Sequence, residues 1–131
     1  PAGDAVALLE LMSRVRPEEA WREQLLQAHP EVARKAGLRL VMYEGGSHVV
    51  GYGPVVDDAQ ATEFYARLNA SPEMGALYEQ LLQGWAKLSD APFNSFGDVA
   101  SPSKWGSWGA LRHLDDDTPR WAVLAKGCTG C

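Results

Sequence analysis

Cysteine is scarce in this chain of 131 residues, because Cys128 and Cys131 are the only two and both stand at the C-terminal end. A disulfide framework is therefore excluded as the basis of the fold. Half of a zinc site is one interpretation of the pair, but the three histidines show no paired spacing that would complete it. A redox pair is another, but no helix is predicted to follow it. We interpret residues 128–131 as a tail and expect no metal and no cofactor.

Positive charge and long apolar runs are lacking as well. The formal net charge is −5 and the lysines and arginines are scattered, so the chain has no basic patch of the kind that binds nucleic acid. No apolar run approaches the roughly 20 residues that a membrane span requires. We expect neither nucleic acid nor a membrane as a partner, and the sequence indicates no cellular compartment.

What is present is the composition of one globular domain. Hydrophobic residues make up 46% of the chain and charged residues 22%, and this length can bury a core without covalent staples. Helix-start signals predict about five helices, which cover residues 4–15, 17–28, 58–68, 72–88 and 119–126. In the fourth helix the residues at helical spacing predict a buried face, made of Met74, Leu77, Tyr78, Leu81 and Trp85.

Two segments have the pattern of strands. Leu38–Tyr43 is a short apolar run that follows a helix and Gly37, as in a parallel α/β fold, and Pro92–Val99 alternates weakly. Two parallel strands alone do not make a stable sheet, since both outer edges stay unpaired. We therefore predict a single α/β domain over residues 1–127 whose sheet is completed by self-association, as a homo-oligomer. The alternative is a monomer that covers both edges with its own N-terminal helices.

The end of the first predicted strand carries candidate chemistry. Glu44 follows the apolar run and is succeeded by Gly45, Gly46 and, after a serine, His48. A carboxylate at the carboxyl end of a parallel strand, above a flexible turn, is where α/β barrels place catalytic groups. The alternative is a solvated glutamate that simply ends a strand.

Four segments together resemble a known family. Residues 43–48, 69–74, 93–98 and 103–111 look like the C-terminal part of bacterial (β/α)8 glycoside-hydrolase-like proteins, which often occur beside cellulose-binding modules. The most specific element is Lys-Trp-Gly-Ser-Trp-Gly-Ala-Leu at 104–111. The resemblance implies that the two predicted strands are strands seven and eight of a barrel, so the chain would be a partial barrel-like fragment.

The same resemblance implies half of an active site. Retaining glycosidases of this kind carry their nucleophile at the end of strand seven, which matches Glu44. Their acid lies about 5–5.5 Å away and comes from strand four, which this chain does not contain. Asp98 lies at the end of the second predicted strand and is the only internal candidate for this second carboxylate, but it does not match the family's acid.

Several other side chains suit a sugar ligand. His48 could bind a hydroxyl or orient Glu44, and Tyr52 could line a cleft. Trp105 and Trp108 lie in a glycine-rich loop, where exposed indole rings stack on pyranose rings. The alternatives are a surface histidine and tryptophans that fold back onto the protein.

The sequence thus leaves three hypotheses. The first is a polysaccharide-acting partial barrel with Glu44 as its catalytic carboxylate. The second is a non-catalytic module that binds a polysaccharide or oligosaccharide through its loop aromatic residues. The third is an orphan structural domain that serves assembly.

Overall fold

The computed structural model describes residues 29–127, and its contacts divide the chain into two compact units, Pro1–Leu40 and Val41–Cys131. In the first unit, residues 29–35 are helical and Gly37 follows with a φ of 68°. Gly37 is therefore the C-terminal cap of this helix. The helices predicted at 4–15 and 17–28 and the tail at 128–131 lie outside the described residues. All the structure that follows belongs to the second unit.

The second unit begins its regular structure with a 3₁₀ helix and the helix that we call α1. The 3₁₀ helix covers Gly53–Asp57, and α1 covers Ala59–Asn69. Asp58 is the N-cap of α1, because its carboxylate accepts hydrogen bonds from the Gln60 and Ala61 amides at 2.8 and 3.1 Å. The helix predicted at 58–68 is therefore confirmed.

Helix α2 covers Pro72–Leu88 and begins as predicted, with Ser71 as its N-cap and proline in its first turn. Its buried face is Met74, Tyr78 and Leu82, at intervals of four residues. The prediction that Leu77 and Leu81 belong to this face is wrong, since both are exposed. The predicted helical period is correct, but the buried face is rotated about the helix axis relative to the predicted face.

Helix α3 covers Pro119–Lys126 and packs closely on α2. Thr118 is its buried N-cap: the hydroxyl accepts from the Trp121 amide at 3.1 Å and donates to the Ala110 carbonyl at 2.6 Å. The close approach of the two helices depends on Gly75, because a Cβ there would lie 2.8 Å from Pro119 Cβ. This confirms the helix predicted at 119–126.

The predicted α/β fold and its partial barrel are wrong. Within residues 29–127 the structure is helical and contains no strand. Leu38–Tyr43 and Pro92–Val99 form no ladder: one parallel bridge joins Ser95 to Gly45, which lies two residues beyond the first segment. Tyr43, predicted inside a buried strand, is 84% exposed. The physical reason is that two segments, the second interrupted by Gly97, cannot build a stable sheet with no third strand beside them in the described chain.

The core of the second unit is small and lies where the helices meet the last loop. Its buried apolar residues are Leu68, Met74, Tyr78, Leu82, Ala91, Ala110 and Leu111. The loop from Ser89 to Thr118 contributes to this core from both of its ends, through Ala91 and through Ala110 and Leu111. None of the described helices is long and apolar enough to cross a membrane.

An ion pair in this loop, in which the Asp116 side chain is only 4% exposed, predicts a response to acid. Asp116 accepts hydrogen bonds from the Arg112 side chain, at 2.7 Å from Nε and 2.6 Å from Nη2, and from the Arg112 amide at 2.8 Å. These bonds hold the pKa of Asp116 far below its usual range. A carboxyl whose pKa is lowered by folding stabilises the protein above its unfolded pKa of about 3.9 and loses that contribution as the pH falls below it.

We therefore expect Asp116→Asn to lower the free energy of unfolding at pH 7 and to lower it less at pH 3. Urea unfolding at the two pH values measures both differences. Asp115→Asn is the matched control, because Asp115 is exposed and makes no such pair, and it should change little at either pH. An Asp116→Asn effect of equal size at pH 7 and pH 3 would show that the ion pair does not stabilise the fold.

Candidate functional site

An open cleft of about 440 Å³ lies where the segment Glu44–His48 meets two parts of the loop from Ser89 to Thr118. Its described lining is Glu44, Gly45, Gly46, Ser47, His48, Phe96 and Trp108. Its volume falls in the range of about 300–1,000 Å³ that is typical of small-molecule sites. All these residues belong to the second unit.

The bridge at Gly45 brings two sides of the cleft together. The Gly45 amide donates to the Asn94 carbonyl and the Phe96 amide donates to the Gly45 carbonyl, both at 2.9 Å. Asn94 Nδ2 also donates to the Tyr43 carbonyl. Phe96 is thereby fixed beside Glu44, although about 50 residues of chain separate them.

Trp108 forms the third side and is held on several sides by its neighbours. Its ring centroid lies 4.7 Å from that of His48, with the planes tilted by 49°, and 5.4 Å from that of Phe96, in an edge-to-face contact. A Cβ on Gly106 would lie 2.6 Å from Trp108 Cε2, so the indole packs directly on the Gly106 backbone. Trp108 is therefore a half-buried wall of the cleft.

Three of the six site residues predicted from sequence come together here. Glu44, His48 and Trp108 line the cleft, and both Glu44 and His48 are exposed to solvent. Phe96 completes the cleft, but sequence reasoning missed it. The signal available for it was its place near the end of the second predicted strand, two residues before the predicted site residue Asp98.

The other three predicted residues do not line this cleft. Tyr52 is the N-cap of the 3₁₀ helix and is exposed. Asp98 uses its carbonyl oxygen to accept from the Leu111 amide at 2.9 Å. Trp105 is 63% exposed, and Lys104 Nζ lies 4.7 Å from the centroid of its ring. The Trp105 ring is thus exposed to solvent, with the Lys104 ammonium group over one of its faces.

The chemistry of the cleft corrects the glycoside-hydrolase interpretation. That interpretation needed a barrel, and the described residues form none. It also needed a second carboxyl group about 5–5.5 Å from the first, whereas Glu44 is the only carboxylate among the described lining residues. The described residues contain no group of three metal-ligating side chains either. What the cleft offers is hydrogen bonding beside aromatic surface.

Comparison with protein-family models, curated proteins and solved structures finds no match to this chain. The resemblance to barrel proteins therefore stays a prediction from short motifs. The cleft is to be interpreted from its own residues.

Proposed function

We propose that the chain is a non-catalytic carbohydrate-binding module whose ligand, an oligosaccharide or a polysaccharide segment, occupies the cleft beside Glu44. The observation that carries this proposal is that an exposed carboxylate and an exposed imidazole line the same open cleft as two aromatic rings. Sugars present both kinds of surface at once, hydroxyl groups at the ring edge and C–H groups on the ring face.

Each part of the lining has a matching part of a pyranose. The Glu44 carboxylate accepts hydrogen bonds from hydroxyl groups, and such charge-assisted bonds are stronger than neutral ones. His48 can donate to or accept from a neighbouring hydroxyl. The exposed surface of Phe96 and the free part of the Trp108 ring supply apolar area for the C–H face. The cleft is open at its mouth, which fits a chain-like ligand that extends beyond it.

The test is binding of neutral hexasaccharides, with cellohexaose among them, measured by calorimetry. We expect Glu44→Ala and Phe96→Ala each to weaken binding about tenfold, which is the effect of losing about 1.4 kcal/mol. One substitution removes a charged hydrogen-bond acceptor and the other removes apolar contact area. Both side chains are exposed, so neither substitution should disturb the fold.

Trp105→Ala is the matched control. It removes a larger and more exposed aromatic ring, but one that does not line the cleft. Affinity should therefore change little. Loss of binding with Trp105→Ala but not with Phe96→Ala would show that the ligand binds at the exposed ring of Trp105 and not in the cleft. Absence of binding by the unaltered chain to every hexasaccharide would reject the proposal and favour a structural role.

A further inference from the structure

Two polar side chains lie behind the cleft and connect its two sides. Asn69, the last residue of α1, is 2% exposed, and Arg120, in the first turn of α3, is 3% exposed. Neither side chain lines the cleft. Any influence that they have on a ligand must act through the loops that they hold.

Arg120 holds the loop that carries Trp108. Its Nη1 and Nη2 atoms each donate to the Ser107 carbonyl at 3.1 Å, and Nη2 also donates to the Gly109 carbonyl. These two carbonyls belong to the residues on either side of Trp108. The backbone that directs the indole is therefore tied to one planar guanidinium group, which holds several acceptors in a fixed geometry.

Asn69 and Tyr78 hold the loop that carries His48. Ser47 Oγ donates to Asn69 Oδ1 at 2.8 Å, and the Ser47 amide donates to Tyr78 Oη at 2.9 Å. Arg120 Nη1 donates to the same Asn69 oxygen at 3.4 Å. One carboxamide thus connects the residue before His48 to the group that holds both neighbours of Trp108.

Burial of the positive charge on Arg120 costs free energy. Its hydrogen-bond partners among the described residues are uncharged carbonyl and amide oxygens, and its buried Nε has no partner. The Tyr78 ring, 5.5 Å from Arg120 Cζ, offers some compensation. A well-packed apolar side chain would often stabilise such a site as well or better. The arrangement therefore indicates a role in holding the loops rather than in filling the core.

We propose that Arg120 and Asn69 are positioning residues that set the contact of the His48 ring with Trp108 and thereby shape the cleft for its ligand. The consequence for a ligand rests on the proposed carbohydrate binding, whereas the consequence for the ring contact does not. This separation allows the two proposals to be tested independently.

The readout is the proton resonance of His48 Hε1 in the full chain, identified by its absence in His48→Gln. Because the two rings are 4.7 Å apart, we expect the Trp108 ring current to displace it from the resonances of His29 and His113. At a temperature where circular dichroism shows the variant folded, Arg120→Met should move the His48 resonance toward those two. It should also weaken cellohexaose binding about tenfold relative to the unaltered chain.

Leu82→Ala is the control for general destabilisation, because Leu82 is buried in α2 and does not line the cleft. It should lower stability and leave the His48 resonance in place. If Arg120→Met does not fold, Ser47→Ala decides by the His48 resonance alone, since it removes the hydroxyl that donates to Asn69 but Ser47 itself also belongs to the cleft lining. An unmoved His48 resonance in the folded variants would overturn the positioning role. If the His48 resonance moves but the unaltered chain binds no glycan, the positioning role stands and the proposed function is rejected.

Discussion

Gly109→Ala should lower the free energy of unfolding by more than about 4 kcal/mol, in the range reserved for severe backbone or core disruption. A Cβ at this position would overlap the backbone of two segments: the Ala100 amide nitrogen, the Leu111 carbonyl oxygen and, at 2.7 Å, the Ala100 carbonyl oxygen. Main-chain atoms cannot turn aside as the end of a flexible side chain can. The two segments would have to move apart, and the contact between them would be lost.

That contact supports much of the last loop. The Ala100 amide donates to the Leu111 carbonyl at 3.0 Å, the Leu111 amide donates to the Asp98 carbonyl at 2.9 Å, and Arg120 donates to the Gly109 carbonyl. Separation would break these bonds together and expose buried donors and acceptors. Chemical denaturation of the alanine variant measures the loss directly.

Gly84→Ala is the matched control for this experiment. Gly84 lies inside α2, and nothing approaches within 4 Å of the Cβ that alanine would add. Because glycine in a helix interior is less favourable than alanine, we expect a gain of roughly 0.5–1 kcal/mol. If Gly109→Ala unfolds at the same denaturant concentration as the unaltered chain, the backbone contact at Ala100 is not as close as described.

Leu68→Ala should cost about 2–5 kcal/mol, the range measured for deleting a large buried aliphatic side chain. Leu68, near the end of α1, is 2% exposed and is the largest of the fully buried side chains among the described residues. In a core this small, few neighbouring side chains can move to fill the space. The loss is therefore expected toward the upper part of that range, and urea unfolding at neutral pH measures it.

Leu77→Ala serves as the comparison because the sequence predicted Leu77 as a core residue and the structure leaves it 42% exposed. Its truncation removes partly hydrated surface and creates no cavity, so a loss of about 1 kcal/mol or less is expected. Equal losses for Leu68→Ala and Leu77→Ala would mean that α2 buries the face predicted from the sequence rather than the one described.

Helices were predictable here because their signals are local. Asp58, Ser71 and Thr118 each accept a hydrogen bond from an amide in the first turn that follows, and proline stands next to two of them. A capping side chain needs only the residues within three positions of it. The predicted bounds of these helices accordingly agree with the structure to within one or two residues.

The sheet was not predictable in the same way. The apolar run at Leu38–Tyr43 has the local pattern of a buried strand, but a strand exists only if other segments pair with it. Nothing within the run reveals whether those segments are present. Resemblance to a barrel supplied the missing partners by analogy, and the described chain does not contain them.

Half of the candidate site was predictable, because the pattern around Glu44 and His48 marks a polar turn after an apolar run. The two tryptophans could not be distinguished, since Trp105 and Trp108 stand in the same glycine-rich loop with similar neighbours. Only long-range contacts place Trp108 against His48 and leave Trp105 outside. Arg120 carried no signal of burial, since a charged residue after Thr118-Pro119 is ordinary in an exposed first turn.

The hydrogen bonds behind the cleft also have a consequence for the order of folding. Ser47 and Asn69 are separated by 22 positions and Asn69 and Arg120 by 51, whereas α1 and α2 are each built from contacts four residues apart. Contacts distant in sequence require the closure of long loops and tend to form late. We therefore expect the cleft to form only when these long loops close, after the local contacts within α1 and α2.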